Sequence, residues 1–225
     1  LVLTPSKEIL DITYSKSIEN FFIENDIDAV IHCAAMARMG KCKENPIKAI
    51  ETNILGTSNL IMNVIKNEKK LQKKIRFIFI STDGVYPGIK GNYSEEDSTL
   101  PYNTYGWTKL GAECVVNTLY DFCIIRTNFF DTKNIVFNES AEDIYTSKIP
   151  LEDLTTAILT ILNSKFRGTI NIGCERKSDY DKYKPHKPQL QKCKFEDVLN
   201  MAGFPIAKDS SMDCSKWRKI NKNHP

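Results

Sequence analysis

Residues 77–83, Phe-Ile-Phe-Ile-Ser-Thr-Asp, join a short apolar run to three polar side chains. Four consecutive apolar residues predict a strand that is buried on both faces, as in the parallel sheet of an α/β protein. A loop rich in Gly, Pro and Asn follows at 84–101, a helix is predicted from about Thr104 to Tyr120, and Phe122–Thr127 is the next apolar strand. This order of strand, helix and strand predicts a parallel pair joined by a right-handed crossover.

The same alternation continues on both sides of this unit. Upstream, an amphipathic helix precedes the apolar run 29–35, and Pro46 opens a helix whose isoleucines recur at helical spacing as far as Ile65. Downstream, another helix begins at Pro150, and Thr169–Ile172 is a short strand. Strands that alternate with helices predict a doubly wound parallel sheet with helices on both faces.

The alternating pattern ends after residue 173. A polar, Pro-bearing stretch follows, and then a short amphipathic helix at Phe195–Met201. The sequence therefore predicts a sheet domain over residues 1–173 and a small C-terminal lobe over residues 174–225. The segment 130–150 belongs either to the sheet domain or to this lobe.

Composition excludes several classes of protein. The chain has 31 Lys+Arg against 28 Asp+Glu, and a net charge of +3 does not favour a nucleic-acid partner. The longest apolar runs, such as Phe77–Ile80, are far shorter than the ~20 residues that span a bilayer. Seven scattered cysteines without a C-x-x-C pair, and three dispersed histidines, predict neither disulfides nor a metal site. These features favour a cytoplasmic protein without nucleic-acid or membrane partners.

One pair of side chains points to chemistry. Tyr105 and Lys109 are four residues apart near the start of a predicted helix, so the phenol and the ammonium share one face. A surface pair would have the same spacing, so the pair alone is weak evidence. Ser81 and Thr82, however, follow the strand 77–80 directly, and ligands of α/β sheets bind beyond the carboxyl ends of the strands. Together these residues predict a site that binds a carbonyl group.

Seven ordered segments carry a resemblance to a known family. They are Leu10-Asp-Ile-Thr13, His32-Cys-Ala-Ala35, Asn53-Ile-Leu-Gly-Thr57, Ser81-Thr-Asp-Gly-Val-Tyr-Pro-Gly88, Pro101–Glu113 with its Y-G-x-T-K core, Ile125-Arg-Thr127 and Lys148–Leu154. In this order they resemble the extended short-chain dehydrogenase/reductase family, and within it the branch of the dTDP-4-dehydrorhamnose reductases. The resemblance implies a Rossmann-like fold, NADPH or NADH as cofactor, and a nucleotide-linked 4-keto-6-deoxy sugar as substrate. A homodimer is a further expectation from the family.

The resemblance also implies roles for individual residues. Tyr105 would donate a proton to the keto oxygen, Thr82 would hydrogen-bond to that oxygen, and the charge of Lys109 would lower the pKa of Tyr105. The implied cofactor-binding residues are Asp11, Ile12, Ala34, Ala35, Asn53, Ser81, Tyr105 and Lys109. The implied substrate-binding residues are Asp83, Arg126 and Asn128.

Several of these residues have simpler structural interpretations. Asp11 would cap a turn, and Asn53 would be a buried polar residue in a helix. For Arg126, a structural ion pair ranks ahead of contact with substrate. The stretch between Phe130 and Pro150 is short for the family, which predicts an altered sugar pocket.

The Gly-rich turn that holds the pyrophosphate in this family is missing from the sequence. None of the ten glycines forms G-x-x-G-x-x-G or G-x-G-x-x-G, and Gly88-Ile-Lys-Gly91 lies in a different loop. We expect that the chain begins after that strand and helix. The alternative is a chain that has lost normal dinucleotide binding.

Two other functions remain open at this stage. A nucleotide-sugar epimerase uses the same Tyr/Lys pair. A non-catalytic regulatory subunit, as in the methionine adenosyltransferase partner of this family, would fit a chain without the Gly-rich turn. The retained Thr82, Tyr105 and Lys109 favour the enzyme.

Overall fold

The computed structural model describes residues 1–222. The first half runs through α1 (Ser15–Glu24), β1 (Ala29–His32), α2 (Met39–Glu44), α3 (Pro46–Ile50), a π-helical turn (Glu51–Leu55), α4 (Gly56–Leu71), β2 (Arg76–Ile80), a 3-10 turn (Asp83–Val85) and α5 (Thr104–Val116). The second half runs through β3 (Phe122–Thr127), β4 (Phe129–Phe130), β5 (Glu139–Ala141), β6 (Tyr145–Thr146), β7 (Ile149–Pro150), α6 (Leu151–Asn163), β8 (Gly168–Ile172), β9 (Lys177–Ser178), α7 (Asp179–Tyr183), β10 (Gln191–Cys193), α8 (Phe195–Ala202) and α9 (Ser215–Lys222). None of the helices within residues 1–222 is long and apolar enough to cross a membrane.

Four parallel strands form the central sheet in the order β1-β2-β3-β8. The position of β2 within this sheet explains why its sequence is continuously apolar. Phe77 and Phe79 pack on one face with helices α1, α4 and α5, whereas Ile78 packs on the other face with α6 and α9. Both faces are buried, as in a doubly wound sheet. The predicted α/β class with a parallel sheet is confirmed.

The helix predicted from Pro46 is interrupted. Asn45 caps α3 by accepting a hydrogen bond from the backbone N–H of Lys48, but a π-helical turn separates α3 from α4. The wider turn rotates the isoleucine stripe, so that Ile47 is 70% exposed while Ile61 is in the core. Hydrophobic periodicity finds the helical segment but does not show the change of phase within it.

The small lobe draws on two separate parts of the chain. Strand β5 pairs with β10 and β6 pairs with β9, so residues 139–146 lie with residues 177–193. The C-terminal helix α9, in contrast, packs on β8, and Trp217 lies in the core of the main sheet. This arrangement differs from the predicted division, because residues 174–225 are not all in one lobe and the end of the chain returns to the sheet.

The Gly88–Gly91 pair has a structural role. Both residues have positive φ, +72° and +69°, which favours glycine. A Cβ on Gly91 would overlap the carboxylate of Asp209, and the backbone N–H of Asp209 donates to the carbonyl of Gly88. These glycines therefore let the loop after β2 pack against the C-terminal segment.

Candidate active site

The site forms where the carboxyl end of β2 meets the start of α5. Thr82 caps the 3-10 turn, because its Oγ1 accepts a hydrogen bond of 3.0 Å from the backbone N–H of Gly84. Asn103 caps α5 in the same way and accepts from the N–H of Gly106. A Cβ on Gly106 would overlap the carbonyl oxygen of Gly84, so this glycine allows the helix to touch the turn. The contact brings Tyr105 beside Thr82.

Tyr105 carries a phenol that is protonated at neutral pH. Burial raises its pKa, while the nearby Thr82 side chain acts in the opposite direction. The sequence predicted a pKa lowered by Lys109. The structure gives the opposite direction, because burial, the largest effect, disfavours the phenolate.

Lys109 lies one turn further along α5 and is only 3% exposed. Its Nζ donates a hydrogen bond of 2.7 Å to the carbonyl oxygen of Ile80 and lies 3.9 Å from the centre of the Phe79 ring. Burial lowers the pKa of Lys109 to about 7, while Glu113 and Cys33 act in the opposite direction. An ammonium has three N–H donors, so Lys109 retains hydrogen-bonding capacity at the carboxyl end of β2.

Asp83 is buried directly behind Thr82. Its Oδ1 lies 3.2 Å from the Thr82 hydroxyl, and its Oδ2 accepts hydrogen bonds from Asn128 (2.9 Å) and from Ser210 (2.7 Å). Burial raises the pKa of Asp83, and these hydrogen bonds lower it only in part. Asp83 and Asn128, both predicted to bind substrate, are therefore bonded to each other.

Arg126 lies in a buried ion pair. Its Nη2 is 2.8 Å from Oε2 of Glu113, the two side chains are 9% and 3% exposed, and its Nη1 donates to the Tyr86 hydroxyl. Glu113 also accepts a 2.5 Å hydrogen bond from Ser81. These contacts match the structural interpretation of Arg126. The Ser81 hydroxyl, predicted to bind the cofactor, is likewise bonded to Glu113.

Sequence reasoning missed Glu113 as a residue that organises the site. It follows Lys109 by four residues on the same helix face, and it ends the Pro101–Glu113 segment. A signal was therefore present in the spacing. Its partner Arg126 is 13 residues further along the chain, and only the fold shows that the two side chains meet.

Ala34 and Ala35 form an open surface after the end of β1, where Ala34 is exposed and Ala35 half-buried. Asn53 holds the loop that follows them. Its Oδ1 accepts from the N–H of Met36, and its Nδ2 donates to the carbonyl of Met36 and to the Thr108 hydroxyl. Asn53 therefore ties this loop to α5 from within the π-helical turn.

Asp11 and Ile12 are placed by local contacts. The Asp11 carboxylate accepts from both the backbone N–H and the hydroxyl of Thr13, and these hydrogen bonds lower its pKa. This is the capped turn that the simpler interpretation describes. Ile12 is buried against Gly56, where a Cβ would overlap its side chain.

The residues present fit the nicotinamide end of a dinucleotide. Buried Lys109 has donors for ribose hydroxyls, Tyr105 lies one turn away, and small side chains at Ala34 and Ala35 leave room for a flat ring. The Gly-rich turn for a pyrophosphate is not part of this sequence. The fit therefore concerns the reactive end of such a cofactor.

Comparison with known proteins identifies the family. A family model described as the RmlD substrate binding domain matches residues 1–142. The chain belongs to this family. Solved structures agree on the fold: a dTDP-4-dehydrorhamnose reductase of Clostridium acetobutylicum has a TM-score of 0.84 at 24% identity, with 99% of this chain and 89% of that chain covered. That of Bacillus anthracis, in complex with NADP, has a TM-score of 0.83 at 20% identity, with 96% and 82% covered.

Three of the curated relatives show the range of names among them. The chain is 33% identical to a UDP-glucose 4-epimerase of Halalkalibacterium halodurans over 46% of this chain and 30% of that protein. It is 33% identical to a dTDP-4-dehydrorhamnose reductase of Mycolicibacterium smegmatis over 56% and 37%. It is 30% identical to methionine adenosyltransferase 2 subunit beta of Rattus norvegicus over 50% and 32%. The matches thus span about a third of the length of each relative.

Proposed function

We propose that the protein is an NAD(P)H-dependent reductase of a nucleotide-linked 4-keto-6-deoxy sugar, of the dTDP-4-dehydrorhamnose reductase kind. The observation that carries this proposal is that the close contact of Gly106 with Gly84 brings Tyr105 beside Thr82 at the carboxyl end of β2, with Lys109 one helical turn away. Membership of the family and the NADP bound to the Bacillus anthracis reductase support it. The partner is a nucleotide sugar, and the cofactor is NADPH or NADH.

Bound NADPH or NADH would supply the hydride that reduces the keto carbon. Tyr105 then donates its phenolic proton to the oxygen on which negative charge develops, and its raised pKa keeps that proton in place at neutral pH. Thr82 orients the phenol. Lys109 holds the ribose hydroxyls through the N–H groups of its ammonium that are not bonded to the Ile80 carbonyl.

The substrate side of the site is assigned to the small lobe and to the residues behind Thr82. Asp83 and Asn128 form the wall nearest to Thr82, and Arg126 supports this wall through Glu113 rather than by touching the sugar. We place the protein in the cytoplasm and expect a homodimer, both by analogy with the family.

The test is the substitution Tyr105→Phe in the full-length protein. It removes the proton donor and keeps the ring, so NAD(P)H oxidation with a dTDP-linked 4-keto-6-deoxy sugar should fall at least ~100-fold while cofactor affinity stays nearly unchanged. Tyr120→Phe, an exposed tyrosine beyond the end of α5, is the matched control. Turnover by Tyr105→Phe at the rate of the unchanged protein would refute the assignment.

The names of two relatives correspond to the competing functions. An epimerase, as in the Halalkalibacterium halodurans relative, would interconvert nucleotide sugars without net consumption of NAD(P)H. A regulatory subunit, as in the rat relative, would consume none and would co-purify tightly with a methionine adenosyltransferase. Net NAD(P)H oxidation that depends on the 4-keto sugar distinguishes the reductase from both.

A further inference from the structure

A line of hydrogen-bonding groups leads from the phenol into the protein interior. Tyr105 lies beside Thr82, near enough for that side chain to lower the pKa of the phenol, and the Thr82 hydroxyl donates a hydrogen bond of 3.2 Å to Oδ1 of Asp83. Thr82 has one hydroxyl proton and two lone pairs, and the N–H of Gly84 uses one of the lone pairs. Thr82 can therefore accept a proton on one side while it gives its own proton away on the other.

Asp83 has the surroundings of a carboxyl group that holds a proton. It is 2% exposed, and its Oδ2 is bound by two neutral donors, Asn128 and Ser210. No salt bridge to Asp83 is present in residues 1–222. Burial of this kind favours the neutral acid, because an unpaired buried carboxylate is costly.

The charged and titratable groups that face Asp83 come from four places. Lys148 precedes β7, Tyr102 lies in the loop before α5, Tyr105 is on α5 and Tyr183 is on α7. The one cation among them, Lys148, is paired with Asp179 at 2.6 Å. The Asp179 carboxylate thus largely balances the positive charge of Lys148, and this charge does little to stabilise a carboxylate at Asp83.

We propose that Asp83 is the proton reserve that resets Tyr105 after each turnover, with Thr82 as the relay. This proposal rests on the reductase function. Tyr105 gives its proton to the sugar oxygen and becomes a phenolate. Thr82 passes its hydroxyl proton to the phenolate oxygen, and the Asp83 proton moves to the Thr82 oxygen. Asp83 is left as a carboxylate that Asn128 and Ser210 bind, and it regains a proton from solvent after product leaves.

Lys109 stands apart from this relay. Its Nζ is bonded to the carbonyl of Ile80 and lies over the Phe79 ring. It is therefore available to hold the cofactor ribose, while Thr82 and Asp83 supply the proton from the interior. This division gives Asp83 a role in proton supply in addition to its place in the wall of the site.

The substitution Asp83→Asn separates the relay from simple positioning. An amide has nearly the same volume, its oxygen can accept from Asn128 and Ser210, and its NH₂ can donate to Thr82, but it has no transferable proton. In the full-length protein we expect single-turnover reduction within about twofold of the unchanged rate, and multiple-turnover kcat lowered at least ~10-fold. Asp153→Asn, an exposed carboxylate on α6, is the matched control and should leave both rates unchanged.

A readout that does not depend on turnover accompanies these rates. Infrared difference spectra of the ligand-free protein, with Asp83→Asn as reference, should show the C=O band of a protonated carboxyl at neutral pH. A carboxylate signal from Asp83 down to pH ~4, the ordinary aspartate range, would overturn the relay. An unchanged multiple-turnover rate in Asp83→Asn would also overturn it and leave the reductase intact, as would an equal loss in single turnover. Failure of the unchanged protein to oxidise NAD(P)H would instead refute the reductase, and the relay with it.

Discussion

Arg126 and Glu113 show how a buried charge pair is tied to the site. Removal of one partner leaves the other charged and buried, so Arg126→Ala should lower the free energy of unfolding by about 3–5 kcal/mol. Arg167, which pairs with Asp121 while 49% exposed, is the matched control, and Arg167→Ala should cost no more than about 1 kcal/mol. Urea denaturation of the two variants measures the difference. Equal costs would contradict the structural role of the buried pair.

Lys109 makes the stability depend on pH in a defined direction. Its pKa is lowered from 10.5 to about 7 by burial, so between these values the unfolded chain binds a proton that the folded chain does not. The free energy of unfolding should therefore rise with pH in this window, by up to about 1.4 kcal/mol per pH unit relative to Lys109→Met. Denaturation at several pH values measures this slope. Lys66→Met, at an exposed lysine, should retain the slope of the unchanged protein.

The sequence predicts where some side chains of the candidate site lie, but not their pKa values or their long-range hydrogen bonds. Tyr105 and Lys109 could be placed on one helix face from their spacing, and Thr82 at a strand end from the apolar run before it. The direction of the Tyr105 pKa shift could not be predicted, because it depends on burial, which arises only after folding. The bonds of Asp83 to Asn128 and Ser210 join residues 45 and 127 positions apart.

At the scale of elements, the contact between α5 and the turn after β2 is the critical one. Gly106→Ala would place a Cβ against the carbonyl oxygen of Gly84, and backbone has little freedom to move. We expect loss of stability and a fall in activity, since the contact sets the distance between Tyr105 and Thr82. Gly111→Ala on the same helix meets the Ile54 side chain, at 2.8 Å from Cδ1 and 3.2 Å from Cγ1, rather than backbone, so a small shift of Ile54 should keep the loss of stability well below that of Gly106→Ala. Thermal unfolding and NAD(P)H oxidation of both variants test this; equal behaviour would contradict the close-contact argument.

The elements also differ in how readily their sequences reveal them. Strands β2 and β3 were predicted to within a residue, because both faces are buried and their apolar runs are continuous. The π-helical turn was not predicted; Asn53 lies in it and bonds to the loop beyond Ala35 and to Thr108, contacts that local periodicity does not reveal. Local pattern indicates which segments are helical, and such long-range contacts decide where a helix changes pitch.

At the scale of the whole molecule, the end of the chain stabilises the main sheet. Trp217 is 7% exposed and packs in the same cluster as Ile170 and Ile172 of β8. Trp217→Ala should therefore lower the free energy of unfolding by about 3–5 kcal/mol. Unfolding followed by circular dichroism and by the fluorescence of Trp107, in this variant, should give a single coincident transition. Two separate transitions would favour an independent lobe over residues 174–225.

Pairing between distant parts of the chain explains why the sequence did not predict the boundary of the small lobe. Residues 177–202 contain the predicted helix at Phe195–Ala202 and, before it, short strands and a helix that the polar, Pro-bearing pattern did not predict. Their pairing partners, however, are residues 139–146, which precede α6 and β8 in the chain. Pairing between segments so far apart leaves no local trace in composition or periodicity.

We propose that Tyr105, Thr82 and Lys109 act together on a keto carbon beside a nicotinamide ring. Deuterium transfer tests this joint action: the full-length protein is given a dTDP-linked 4-keto-6-deoxy sugar and NADPH or NADH deuterated at the transferable position. We expect a reduced sugar that carries deuterium at the former keto carbon, and no such product from Tyr105→Phe. A product without deuterium, or labelled product formed equally by Tyr105→Phe, would contradict it.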